Sequence, residues 1–199
     1  MVASLASASA GHSPLLPRPQ QVQYENGALP VRGLSVRFAV PPTAEDAFAA
    51  EQLATRLSAL GQTQILVRKG KASSHAILLN RTGTGAALPG DQESTGPDSR
   101  EAYSLQVPPK GAEIRASSSA GLFYGVQTLL QMVEGSGPQA ARPAATIRDW
   151  PALAYRGFMM DLSHGQLLRV TEIERQLDLL ARFKANQYYF YSEACIEFE

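Results

Sequence analysis

The 199-residue sequence predicts an α+β domain, with a mostly antiparallel sheet and two helices on one face, followed by a βαβ unit. Before residue 150, several short segments alternate apolar and polar residues, which is typical of half-buried strands. Two other segments repeat apolar residues at helical spacing. After residue 150, two apolar runs flank a helix pattern, as in parallel sheets. We expect a leader at residues 1–13, the α+β domain at 14–150 and the βαβ unit at 151–199.

The composition, 44% hydrophobic and 18% charged, is that of an ordinary globular protein. A formal net charge of zero gives no support to nucleic-acid binding, and no apolar run is long enough to span a membrane. The single cysteine, Cys195, cannot form an internal disulfide. The pair Gly83 and Gly85 lacks the third glycine of a phosphate-binding loop, and His75 has no partner spaced for metal binding. We therefore predict no cofactor and no metal.

The leader, residues 1–13, is rich in alanine and serine. Its small residues resemble the end of a secretory signal, although it lacks a basic start and a solid apolar stretch. We expect a secreted or periplasmic parent protein on this basis. A disordered leader is the alternative.

The first half of the α+β domain begins with an extended, proline-rich segment at 14–23 and an alternating strand at 33–40. Thr43 is a good N-cap for a helix, and Gly61 fits its C-cap position. Short strands are predicted at 64–68 and 76–79. The polar, glycine-rich residues 81–100 indicate a surface loop.

In the second half, alternating segments at 103–107 and 112–116 flank a turn and predict a hairpin. A helix with an apolar stripe follows, and Gly121 and Gly125, four residues apart, allow it to approach the sheet closely. A final strand is predicted at 144–147.

The βαβ unit is predicted from an apolar run at 155–162, a capping box at 171–174 that opens a helix with a buried stripe, and an aromatic-rich run at 187–191. Short apolar runs of this kind are typical of strands buried on both faces, although a buried helix is an alternative for the first. A single βαβ unit cannot cover its own strands. We therefore expect the chain to be a truncation or the missing strands to come from elsewhere.

Several segments together resemble glycoside hydrolase family 20, the β-N-acetylhexosaminidases. Five of them resemble the family's N-terminal domain or the approach to its catalytic barrel, and the sixth resembles the first barrel strand. They are residues 16–20, 102–105, 114–117, 120–129, 147–151 and 155–161. The resemblance implies that residues 151–199 are the truncated start of a (β/α)8 barrel.

The activity that this resemblance implies is removal of N-acetylhexosamine from glycans with retention, the substrate's own acetamido group acting as nucleophile. The Asp-Glu pair that assists it lies on a later barrel strand, so the resemblance implies no catalytic residue in this chain. Two alternatives are a non-catalytic docking domain and a related glycosidase of the O-GlcNAcase or α-glucuronidase type. Oligomeric state, sugar and linkage are left open.

Substrate-binding residues are predicted where the two barrel strands end, because barrel sites form at the C-terminal ends of strands. These residues are Asp161, His164, Tyr191 and Glu193. His164 departs from the family pattern, since it occupies the position of an arginine that binds sugar hydroxyls. For Asp161, a structural hydrogen bond is an equal alternative. Arg156 lies at the start of its strand and is predicted to form a buried ion pair.

Overall fold

A computed structural model describes residues 12–68, 75–85, 92–164 and 167–193. It contains nine strands, three α-helices and a short 3₁₀ turn within these ranges. The leader at residues 1–13 lies almost entirely outside them. The strands are β1 Gln21–Pro30, β2 Ser35–Phe38, β3 Leu66–Val67, β4 Ala76–Gly85, β5 Tyr103–Val107, β6 Ala112–Ser118, β7 Ala141–Asp149, β8 Gly157–Asp161 and β9 Gln187–Tyr191. The helices are α1 Ala44–Gly61, α2 Ser119–Gln131 and α3 Val170–Arg182.

Seven strands form one sheet in the order β1-β7-β5-β6-β4-β2-β3. The neighbours from β1 to β6 are antiparallel, and those from β6 to β3 are parallel. The prediction of a mostly antiparallel sheet is therefore wrong, because the sheet is mixed. The crossover through α1 explains part of the difference, since it carries the chain back to the same end of the sheet and β3 then enters parallel to β2.

The sheet extends further along the chain than the sequence predicted. Strand β4 continues to Gly85, although residues 81–100 were predicted to be a loop. Polar residues are tolerated there because Asn80 and Arg81 pair with Arg115 and Ala116 of β6 in regular register. Where β1 lies, the sequence predicted only an extended segment and no strand. Its alternation of apolar and polar residues is short, because the strand has an irregularity between Tyr24 and Ala28.

Helix α1 begins at the predicted cap. The Thr43 hydroxyl accepts a hydrogen bond from the Asp46 amide at 3.2 Å, and the Asp46 carboxylate accepts one from the Thr43 amide at 3.1 Å. This reciprocal pair satisfies two amides that the first turn leaves free. At the other end, the left-handed residue is Gln62, with φ of 45°, so the prediction of a cap at Gly61 is wrong by one residue.

Helix α2 lies very close to the sheet, as its two glycines predict. A Cβ atom on Gly121 would lie 2.5 Å from the Ala102 carbonyl oxygen, and one on Gly125 would collide with Ile114. Helices α1 and α2 also contact each other and therefore cover the same face of the sheet. The core between them and the sheet is fully buried at Leu53, Leu105 and similar residues.

Strands β8 and β9 form a separate two-stranded parallel sheet, with Asp161 opposite Tyr191. The prediction of two parallel strands joined by a helix is confirmed. The predicted burial on both faces is not reached within the described residues, in keeping with the expectation that a single βαβ unit cannot cover its own strands. Met159 is 60% exposed and Tyr189 is 50% exposed. None of the helices in the described ranges has the length and apolar character needed to cross a membrane.

Helix α3 also differs from its prediction. It begins at Val170 after Arg169, which makes no side-chain capping bond, so Thr171 lies inside the first turn rather than at the cap. No residue of α3 is buried. The predicted apolar stripe is only partly covered by the described part of the chain, since Leu177 and Phe183 are 44% and 45% exposed.

Candidate sugar-binding site

The four predicted site residues lie together at the C-terminal ends of β8 and β9. Parallel pairing places Asp161 beside Tyr191, and the Leu162 amide donates to the Tyr191 carbonyl at 2.9 Å. The chain beyond each strand therefore turns at the same edge of this small sheet. His164 and Glu193 extend from those turns.

Asp161 organises the turn after β8. One carboxylate oxygen, Oδ1, accepts the Ser163 amide at 2.8 Å and the His164 amide at 3.1 Å. The other, Oδ2, lies 3.1 Å from Nδ1 of the His164 ring. The hydrogen bonds, first from the His164 amide and then from the Ser163 amide, lower the pKa of Asp161. This carboxyl is therefore ionised at neutral pH.

The turn after β9 is tied to the turn after β8. The Tyr191 hydroxyl donates to Glu193 Oε1 at 2.6 Å, and this bond raises the pKa of Tyr191. The Glu193 amide donates to the Ser163 hydroxyl at 2.6 Å. Glu193 Oε2 lies 3.9 Å from Nε2 of His164. The His164 ring thus lies between two carboxylates.

Ser163 was not among the predicted site residues, although it joins the two turns. The sequence signal for it is its position between Asp161 and His164, where a short hydroxyl side chain can accept a backbone amide. The side chains of His164, Glu193 and Asp161 are exposed by 64%, 55% and 43%. They are therefore accessible to a ligand.

This set of groups suits hydroxyl-bearing ligands. Two carboxylates accept hydrogen bonds from hydroxyl groups, the imidazole can donate or accept, and the Tyr191 ring offers a flat apolar face. The described residues contain no group of three or more His, Cys, Asp or Glu side chains arranged to hold a metal ion.

Arg156 lies at the opposite end of β8 and forms the predicted ion pair. Its guanidinium contacts the carboxylate of Glu101, which is only 3% exposed. This interaction connects the βαβ unit to the N-terminal domain. Arg156 precedes β8, whereas the predicted site residues lie at the other end of this strand.

The molecule is thus an α+β domain joined to a parallel βαβ unit whose strand ends carry polar groups. Residues 12–150 match the family model described as glycosyl hydrolase family 20, domain 2. The chain belongs to glycosyl hydrolase family 20.

Two relatives show the same relationship. A beta-hexosaminidase of Porphyromonas gingivalis is 34% identical over 151 residues, which are 71% of this chain and 18% of that protein. A beta-N-acetylhexosaminidase of Cellulomonas fimi is 35% identical over 91 residues, which are 45% of this chain and 18% of that protein. The chain therefore spans only about a fifth of the length of these relatives.

Solved structures resemble the chain beyond the family match. The family 20 β-N-acetylhexosaminidase of Streptomyces coelicolor has a TM-score of 0.71 at 26% identity, with 91% of this chain and 35% of that chain covered. A Streptomyces plicatus beta-hexosaminidase variant in complex with the product GlcNAc has a TM-score of 0.70 at 28% identity, with 92% and 36% covered. Residues 1–150 are only three quarters of the chain, so these similarities include part of the βαβ unit.

Proposed function

We propose that residues 151–199 begin a (β/α)8 barrel and that the chain is the N-terminal part of a β-N-acetylhexosaminidase. The parent enzyme would release terminal N-acetylhexosamine from glycans with retention, using the acetamido group of the substrate as nucleophile. Family membership and the names of the relatives support this proposal. They also favour it over an O-GlcNAcase-like or an α-glucuronidase-like enzyme and over a docking domain.

The observation that carries the proposal is the meeting of four polar side chains at the C-terminal ends of two parallel strands. Barrel enzymes build their sites at those ends, whereas the opposite ends serve stability. Asp161 and Tyr191 are direct neighbours in the register, and His164 and Glu193 follow them within three residues. If only one of the two strands carried polar residues at its C-terminal end, no such cluster would form.

Each of the four residues has a distinct role in this proposal. The carboxylates of Asp161 and Glu193 accept hydrogen bonds from hydroxyl groups of the terminal sugar. His164, held by Asp161 at 3.1 Å, takes the place of the sugar-binding arginine of the family. The Tyr191 ring covers one face of the sugar.

The catalytic Asp-Glu pair is assigned to barrel strands that these 199 residues do not include. The residues described here bind and orient the sugar and do not transfer a proton. We further propose that the parent protein is exported, since the alanine- and serine-rich residues 1–13 resemble the end of a secretory signal.

The test is an assay of the complete parent protein with an aryl β-N-acetylglucosaminide. Asp161→Asn removes a charged acceptor, so kcat/KM should fall about 10–100-fold, mainly through KM. His164→Arg restores the family's side chain and should lower KM. Arg115→Met, on an exposed part of β6 in the N-terminal domain, is the matched control and should leave both constants unchanged.

Two outcomes would contradict the proposal. Turnover by the 199-residue chain alone would place the catalytic pair within it. Unchanged kinetics for both Asp161→Asn and His164→Arg would remove the strand ends of β8 and β9 from the sugar site.

A further inference from the structure

The junction between the N-terminal domain and the βαβ unit is buried and polar. Lys184 follows α3 in a left-handed conformation, with φ of 61°, and is only 7% exposed. Its ammonium group donates to Asp149 Oδ2 at 2.7 Å and to the Tyr103 hydroxyl at 2.9 Å. Asp149 ends β7 and Tyr103 begins β5, and the two residues are direct neighbours in the register, so a residue of the βαβ unit binds the side chains of two paired residues of the large sheet.

The acceptors of Lys184 are themselves held in place. The Tyr103 hydroxyl donates to Asp149 Oδ2 at 2.9 Å and lies 2.5 Å from the Thr128 hydroxyl of α2. The Lys184 ammonium also lies 5.2 Å from the centre of the Tyr103 ring. Burial lowers the pKa of Lys184 and raises the pKa of Tyr103, and the Asp149 carboxylate opposes the first effect. This pocket is therefore complementary to one cation.

A second set of contacts lies beside the first. Glu101 pairs with Arg156 through one carboxylate oxygen and accepts the Asn186 side-chain amide through the other at 2.9 Å. The Asn186 side-chain oxygen Oδ1 accepts a hydrogen bond from the Arg156 backbone amide at 2.9 Å. The Arg156 guanidinium also donates to the Lys184 carbonyl oxygen at 2.9 Å. Both strands of the βαβ unit are thus held at the residue that immediately precedes each strand.

The apolar surfaces of the βαβ unit take little part in this attachment. Phe158, Met159 and Phe190 remain between 46% and 60% exposed. Hydrogen bonds and ion pairs between buried partners require a defined geometry, whereas apolar contact alone tolerates sliding. The junction therefore sets the orientation of the unit as well as its position.

We propose that Tyr103, Thr128, Asp149 and Glu101 form a docking surface that receives the Lys184–Asn186 turn and clamps the βαβ unit onto the N-terminal domain. The clamp acts without the remaining barrel strands. It makes the folded N-terminal domain the platform on which the first barrel strands become ordered. This inference concerns the 199-residue chain and does not depend on the sugar site.

Hydrogen–deuterium exchange of the 199-residue chain tests the clamp. Lys184→Met keeps most of the side-chain volume but leaves Asp149 buried without its cation. Amides of β8, α3 and β9 should then exchange at least tenfold faster, whereas amides of β2, β4 and β6 should change less than threefold. The double variant Lys184→Met/Asp149→Asn should recover part of the lost protection. Lys110→Met, in the exposed hairpin turn, is the matched control.

Three results would overturn the proposal. The amides of β8 and β9 could be unprotected in the unaltered chain, or unaffected by Lys184→Met. The whole sheet could lose protection together with β8 and β9, which would make Lys184 a general stabiliser of the core. If Lys184→Met does not fold, Asn186→Ala carries the same test, because it removes the contact to Glu101 and leaves the buried Asp149–Lys184 pair intact.

Discussion

The seven-stranded domain and the βαβ unit contain the same kinds of apolar residues but differ in how far these residues are buried. In the first region, Leu105 of β5 and Ile147 of β7 are completely buried. In the second, Phe158 and Met159 of β8 are 46% and 60% exposed. The domain has its own buried core, whereas the βαβ unit contacts the domain through a polar junction. Apolar content in a sequence therefore indicates capacity for burial, and the neighbours decide whether that capacity is used.

The largest effect that separates the two regions is expected from truncating one apolar side chain in each. Leu105→Ala should lower the free energy of unfolding by about 2–5 kcal/mol, because it removes buried surface and leaves a cavity. Met159→Ala should change it by less than about 0.5 kcal/mol, because that side chain is already exposed. Urea denaturation measures both. Equal losses for the two variants would mean that β8 is covered in solution, for example by self-association.

Local sequence patterns predicted most of the first region. The hairpin of β5 and β6, the Thr43 cap and the close approach at Gly121 follow from alternation, capping chemistry and the absence of a side chain. Strand direction was not predictable in this way. The parallel pairing of β2, β4 and β6 depends on where the crossovers return the chain, which short-range patterns do not contain.

In the second region, the sequence predicted the parallel strands and the residues at their polar ends. It also predicted that Arg156 forms an ion pair, but it predicted neither Glu101 as its partner nor the burial of Lys184. A lysine after a helix is ordinarily solvent-exposed, and only the fold places Asp149 and Tyr103 around this one. Long-range polar partners of this kind carry no local signal.

A second prediction compares two buried cations. Arg142 of β7 is completely buried, and its three guanidinium nitrogens have no hydrogen-bond partner among the described residues, whereas Lys184 has two. Burial lowers the pKa of Arg142 to about 10. Arg142→Met should raise the free energy of unfolding by about 1–3 kcal/mol, because it removes unsatisfied donors while keeping much of the volume.

The matched control is Arg148→Met, on the same strand but exposed, which should change stability by less than about 0.5 kcal/mol. Thermal and urea denaturation of the two variants provide the comparison. A clear loss of stability for Arg142→Met would show that packing of the arginine stem outweighs the cost of its unsatisfied charge.

The smallest effect is expected from pH. Tyr124 of α2 lies at the junction, where its hydroxyl is 3.4 Å from the Ala185 carbonyl oxygen. Burial, followed by the nearby Glu101 carboxylate, raises its pKa from 10.0 to about 12. A raised pKa in the folded state contributes stability that is complete below pH 10 and is lost as the pH rises towards 12. Between neutral pH and pH 11, the titration of Tyr124 should therefore lower the free energy of unfolding by about 1.4 kcal/mol.

Tyr124→Phe should remove this part of the alkaline loss, so the difference in stability between pH 8 and pH 11 should shrink by about 1.4 kcal/mol. The remaining loss belongs to groups such as Tyr103, whose pKa burial also raises. Urea titrations at the two pH values measure the difference, and Tyr155→Phe, at a half-exposed tyrosine, is the control. An identical alkaline loss in Tyr124→Phe and the unaltered chain would mean that Tyr124 is accessible to solvent. The junction would then be open, and the contrast between a self-sufficient domain and a clamped βαβ unit would not hold.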